Sequence, residues 1–174
     1  MKEDTLVILH MMGNHGPAYF RRYAPDLKRF TPACEKLELR DCSREEIVNA
    51  YDNALLQSDR VLAGVVRLLR EEDARFDTVL AYASDHGESL GEHGLYLHGL
   101  PYALAPREQV EVPMLWWLSP GAARELKVDM ACLRRRAAEP ASHDNIYHSL
   151  LGLAGVQTPL YRAKRDLFRD CRAS

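Results

Sequence analysis

The chain has 174 residues, 47% hydrophobic and 28% charged, with a formal net charge of −2. That is the make-up of a soluble globular domain large enough for a real core, and it offers no global attraction for nucleic acid. No apolar run approaches the roughly 20 residues of a membrane helix, and no signal peptide is visible, because acids precede the short apolar run in MKEDTLVIL.

A strand-like segment, TLVILH (Thr5–His10), comes almost at once, which reads as part of something larger. It is continuous and β-branched, as a buried parallel strand should be. Gly13, Gly16 and Pro17 then force a loop. Cys34 and Cys42 bracket a polar segment, CEKLELRDC. On spacing alone, a small disulfide loop in an oxidising compartment and a pair of free thiols are equally admissible. A zinc knuckle would need closer cysteine pairs. Residues 43–72 read as one long helix. Ser43 and Glu46 form a capping box, and Ile47, Tyr51, Ala54, Leu55, Leu62, Val65, Val66 and Leu69 follow helical spacing for a buried stripe. A second strand is expected over Asp77–Ala83. A third is expected over Val110–Leu118, with Pro113 at an edge or bulge. Arg134, Arg135 and Arg136 read as solvated surface. A last helix falls in HDNIYHSLLGLAG, closed by Gly155.

Strand, long helix, strand predicts an α/β fold, a mostly parallel sheet flanked by helices. Ligands of such sheets sit beyond the carboxyl ends of the strands. His15 follows the first strand, and Asp85 and His86 follow the second. Both loops are therefore expected on one rim, although they are far apart in sequence.

The stretch ASDHGESLGEHGLYLHG, Ala83 to Gly99, holds three of the chain's seven histidines among repeated glycines. Asp supplies a hard anionic oxygen and His a neutral nitrogen lone pair, a combination suited to a borderline cation such as zinc. Gly87 lets the backbone turn sharply after them. Asp85, His86, His15 and His98 together make a candidate metal and anion site, in which imidazoles that are not ligands could hold a phosphoryl or sulfuryl oxygen. Glu88 and Glu92, four apart, read as a water-facing pair. His93 reads as surface or outer shell, His10 as structural, His143 as a cap or rim residue, and Trp116 and Trp117 as core filler.

LHMMGNHGPAYFRRYAPDLKRFTPAC, YDNALLQSDRVL, YASDHGESLGEHGLYLHGLPYALAPREQVEVPMLWW and SHDNIYHSLLGL closely resemble the lipid A phosphoethanolamine transferases. That group includes polymyxin (colistin) resistance enzymes and lies within the alkaline phosphatase/sulfatase-like superfamily. The resemblance covers nearly the whole chain and implies that residues 1–174 are the C-terminal part of a periplasmic catalytic domain, with an incomplete alkaline phosphatase/sulfatase-like fold. Asp85 and His86 match the family's zinc ligands in SDHGES. His15 in GNHGP and His98 in YLHG match the two histidines that bind phosphate or a second zinc near the nucleophile. Cys34 and Cys42 match a family disulfide. The resemblance further implies Zn2+ as cofactor, phosphatidylethanolamine as donor, and lipid A as acceptor. It implies a threonine-bound intermediate and an inner-membrane parent anchored through an N-terminal region not in this chain.

Thr5, Thr31, Thr78 and Thr158 lie in strands or before prolines, so none suits the nucleophile. The 174 residues alone are expected not to turn over substrate, to bind metal weakly, and to expose an unpaired sheet edge. A sulfatase or phosphoglycerol transferase of the same superfamily is the alternative, as is a non-catalytic metal-binding module.

Overall fold

A computed structural model describes residues 4–173. In chain order the regular elements are α1 (Arg44–Glu71), β1 (Val79–Ala83), β2 (Ser89–Leu90), β3 (Tyr96–Leu97), α2 (Arg107–Val110), β4 (Met114–Leu118), α3 (Pro120–Glu125), α4 (Met130–Arg136) and α5 (His143–Leu153). They pack around two cores. One unit runs up to Val65 and resumes over Ser84–Val112; the other takes Val66–Ala83 and the chain from Pro113 onward.

In the first unit, α1 starts where the sequence sets it. The Ser43 amide donates to Glu46 Oε2 at 2.7 Å, and the Glu46 amide donates to Ser43 Oγ at 3.2 Å. The buried face of α1 is more polar than its spacing predicts. Ile47, Ala50, Asn53, Ala54 and Ser58 are buried, whereas Leu55 is exposed and Leu62, Val65, Val66 and Leu69 are only half-buried.

The reason lies in the segment before the helix, which contains only short 3-10 turns. Its backbone groups lack a ladder and must find other partners. Asn53 accepts from the amides of Arg29 and Phe30 and donates to the Phe30 carbonyl. Asn49 donates to the Pro32 carbonyl, and Gln57 accepts from the Ala24 amide. Tyr19, Cys34, Ile47 and Ala50 form the apolar centre, with Leu90 and Leu97 of the antiparallel β2–β3 hairpin against it. A disulfide joins Cys34 to Cys42.

Thr5–His10 is not a strand. Leu6, Val7, Ile8 and Leu9 are 73%, 71%, 83% and 66% exposed, and no described segment pairs with them. An apolar pattern supplies a strand's faces, but a strand exists only beside a neighbour.

The second unit holds the other sheet, and here too the expected direction is corrected. β1 and β4 pair antiparallel, Val79 opposite Leu118 and Ala83 opposite Met114, and both sheets among the described residues are antiparallel pairs. A parallel layer would need Thr5–His10 as a member, and that segment belongs to no described strand. The third strand is also shorter than expected. Arg107–Val110 closes into a single helical turn, and Pro113, which has no amide to donate, precedes the first paired residue.

Ser119 and Asp129 cap α3 and α4 by accepting from amides in the first turn of each. α5 opens on a Ser142–Asn145 capping box and closes at Gly155, φ 64°. The Val156 amide reaches Leu151 O and the Gly155 amide reaches Gly152 O, the paired bonds of a left-handed helix stop. Leu118, Ala122, Val128 and Phe168 form the core. Trp116 packs edge-on to Phe168 at 5.0 Å between centroids, the filler role its type suggested. Cys132 is bonded to Cys171.

Candidate functional site

Three loops of the first unit bring histidines together. The loop bearing His15 is tied to α1 through Asn14, which accepts from Ser58 Oγ at 2.7 Å and donates to Tyr51 O at 3.3 Å. Gly16 follows because a side chain there would lie 2.6 Å from Leu97 Cδ2 and 2.7 Å from the Tyr19 hydroxyl.

His86 sits in the turn after Ser84, whose hydroxyl donates to the His86 carbonyl at 2.8 Å. Gly87 is required by close approach rather than by a sharp turn alone. A Cβ there would stand 2.1 Å from the Glu108 carbonyl oxygen, and the Gly87 amide donates to Gln109 O at 2.9 Å. His98 lies between Leu97, at φ 64°, and Gly99, at φ 109°. A left-handed backbone is uncommon for a residue such as Leu97.

The rings meet. Centroids of His86 and His98 are 3.8 Å apart and stacked, and His15 approaches them edge-on at 5.9 Å and 5.0 Å. One ring nitrogen from each of the three lies within 4.8 Å of the others.

Their hydrogen bonds decide which nitrogens are available. His15 Nδ1 is 2.7 Å from Gly16 O, His86 Nδ1 is 2.9 Å from Gly87 O, and His98 Nδ1 is 2.9 Å from Glu88 Oε1. A carbonyl or carboxylate oxygen can only accept, so each Nδ1 carries the proton and donates. In the neutral ring the lone pair then rests on Nε2. Three anchored imidazoles with free Nε2 atoms fit a borderline divalent cation such as zinc. If Nε2 is protonated instead, each ring becomes a cationic donor suited to an anionic oxygen.

Asp85 lies at the edge of this group, next to His86. Its side chain is 81% exposed, Oδ1 accepts from the His86 amide at 3.1 Å, and Oδ2 is 3.9 Å from His86 Nε2. His93 is exposed, at φ 53°, and His10 is exposed at the end of the Thr5–His10 segment. His143 and His148 belong to the other unit, where the buried His148 accepts the Arg162 amide at Nδ1.

Glu88 corrects the expectation of a water-facing acid. It is buried, its side chain only 4% exposed; Oε1 receives His98 Nδ1–H and Oε2 receives the Gly16 amide at 3.1 Å. Glu88 lies in the irregular turn between β1 and β2, which begins at Ser89, so its burial follows from the loops it joins rather than from its spacing to Glu92. Burial, reinforced by the negative charge of Glu88, pushes the Tyr19 hydroxyl far above the usual phenol range, so it stays neutral beside Gly16.

Glu92 is likewise engaged. It accepts from Arg44 at 2.9 Å and from the Leu90 amide at 2.6 Å. Burial opposes its ionisation, but the hydrogen bonds from its own and the Leu90 amides and from Arg44 outweigh that and hold its carboxyl below the usual range.

The sequence pattern of the Sulfatase family matches residues 2–156. The chain is 47% identical over 173 residues to phosphoethanolamine transferase EptA of Salmonella typhimurium, covering 99% of this chain and 32% of that protein. It therefore spans about a third of the length of this relative. The structure superposes on the soluble domain of lipooligosaccharide phosphoethanolamine transferase A from Neisseria meningitidis with TM-score 0.91 and 41% identity, covering 95% of this chain and 50% of that one. Against the C-terminal periplasmic domain of phosphoethanolamine transferase EptC from Campylobacter jejuni the TM-score is 0.84 at 39% identity, over 95% of this chain and 52% of that one.

Proposed function

The chain belongs to the sulfatase family, and from that premise we propose that it is the C-terminal portion of the catalytic domain of a phosphoethanolamine transferase, which moves phosphoethanolamine from phosphatidylethanolamine to lipid A. Supporting this are the transferases it resembles at 39–47% identity over nearly its whole length. The observation that carries it is the convergence of His15, His86 and His98, each with Nδ1 tied to an acceptor and one ring nitrogen within 4.8 Å of the others.

In this reading Asp85 and His86 hold Zn2+, and His15 and His98 bind the phosphoryl oxygens. Zinc bound there would supply positive charge beside the phosphoryl group and lower the pKa of a coordinated hydroxyl. The chain's own residues do the rest. His15 and His98 would face the oxygens on which charge grows during transfer. Glu88 keeps the His98 ring oriented, and the carbonyls of Gly16 and Gly87 fix the tautomers of His15 and His86. Transfer proceeds through a threonine that is none of Thr5, Thr31, Thr78 or Thr158.

The parent works on the periplasmic face of the inner membrane, for which the Campylobacter domain is the support. Among the described residues no helix is long and apolar enough to cross a membrane. Adding phosphoethanolamine makes lipid A less anionic, so cationic peptides such as polymyxin bind the outer membrane less well.

The test is made in the protein that carries this segment, expressed in a bacterium that makes lipid A. His86→Ala or Asp85→Ala should abolish the phosphoethanolamine adduct on lipid A, read by mass spectrometry, together with polymyxin resistance. Unchanged adduct at normal expression would refute the assignment. Hydrolysis of a sulfate ester with no lipid A adduct would instead favour a sulfatase.

A further inference from the structure

We propose that Glu88 is the positioning residue of the histidine cluster: one buried carboxylate orients His98 and clamps the backbone beside His15, so that it sets the relation between two of the three imidazoles. The proposal rests on reading this cluster as the metal and phosphoryl site.

Both oxygens of Glu88 are spent on loops distant in sequence. Oε2 takes the Gly16 amide, adjacent to His15, and Oε1 takes His98 Nδ1–H, at 3.1 Å and 2.9 Å. The side chain is 4% exposed, so water does not compete for these bonds. Glu88 also follows His86 by two residues, which places it at the junction of all three histidine-bearing loops. A carboxylate behind an imidazole fixes the ring's tautomer and raises the basicity of the far nitrogen. His15 and His86 receive only backbone carbonyls in that position. His98 alone is backed by a side-chain carboxylate.

Glutamine is the discriminating substitution. Its amide has one acceptor oxygen, and both partners of Glu88 are N–H donors, so Glu88→Gln must lose one of the two bonds whichever way the amide turns. In the 174-residue chain, long-range 1H–15N NMR of the imidazoles reads the tautomers without metal or activity. Wild type should show His98 as the Nδ1–H form. Glu88→Gln should show a mixed tautomer at His98, or a displaced Gly16 amide resonance if the amide oxygen stays with His98. Zinc affinity should fall about 10- to 100-fold, while circular dichroism stays that of the wild type. A wild-type His98 protonated at Nε2 and not Nδ1 would overturn the proposal, and that spectrum decides even if the variant does not fold. Unmoved His98 and Gly16 resonances with zinc affinity within twofold would also overturn it. Absence of zinc binding by the wild type would count against the metal reading of the site, leaving the tautomer result to judge Glu88 separately.

Discussion

Gly87 has no room for a side chain. An alanine Cβ would meet the Glu108 carbonyl oxygen at 2.1 Å, and backbone cannot swing aside as a flexible side chain can. Gly87→Ala should therefore cost about 1–3 kcal/mol, the range for overpacking, read as a lower melting temperature. It should also broaden the His86 resonances, because the loop must shift. An alanine variant that melts with wild type would contradict the close approach. Residues at this scale were legible to different degrees. His15, His86 and His98 could be singled out because glycines flank or follow them, and they do meet. Asp85 was expected in the same cluster, but its carboxylate faces solvent beside His86. Glu88 was not legible as buried, because both its partners, the Gly16 amide and His98, come from loops that local pattern does not bring beside it.

α1 and α5 were readable almost to the residue, since Ser43 with Glu46 marks the start of one and Gly155 the end of the other. Strands were less readable. Their apolar pattern is local, but their existence depends on a partner that local pattern does not specify, which is why Thr5–His10 failed and β1 and β4 succeeded in the opposite sense to that expected. The disulfides divide similarly. Spacing left Cys34 and Cys42 open and said nothing of Cys132 and Cys171; the structure pairs both. They close loops of 8 and 39 residues, one in each unit. Chain-entropy reasoning assigns about 2.5 kcal/mol to the short loop and about 4 kcal/mol to the long one. Paired Cys→Ser replacement should therefore lower stability more at Cys132 and Cys171 than at Cys34 and Cys42, measured by denaturant unfolding. The reverse order would show that the long loop is already restrained in the unfolded chain. Mass spectrometry of unreduced protein should find both crosslinks.

As a whole the chain folds around two cores and leaves a run of apolar residues, Leu6 to Leu9, in solvent. Such a run is a template for pairing with another copy. Sedimentation should reveal concentration-dependent association that Ile8→Lys suppresses, and association unchanged by that substitution would place the contact elsewhere. The helical layout and the meeting of His15, His86 and His98 were recoverable from residues that act locally or that stand beside glycines in loops. Sheet direction was not, because it is set by pairing partners beyond the reach of any single segment.

His15, His86 and His98 bring three ring nitrogens within 4.8 Å of one another, and the proposed function needs a divalent cation there. Anomalous diffraction at the zinc edge from crystals of the chain grown with zinc tests it most directly. A zinc peak is expected about 2.0–2.1 Å from His86 Nε2, with His15 or His98 within the same cluster. A crystal in which zinc sits only at His93 or His143, or in which the three-histidine cluster stays empty at saturating zinc, would contradict it.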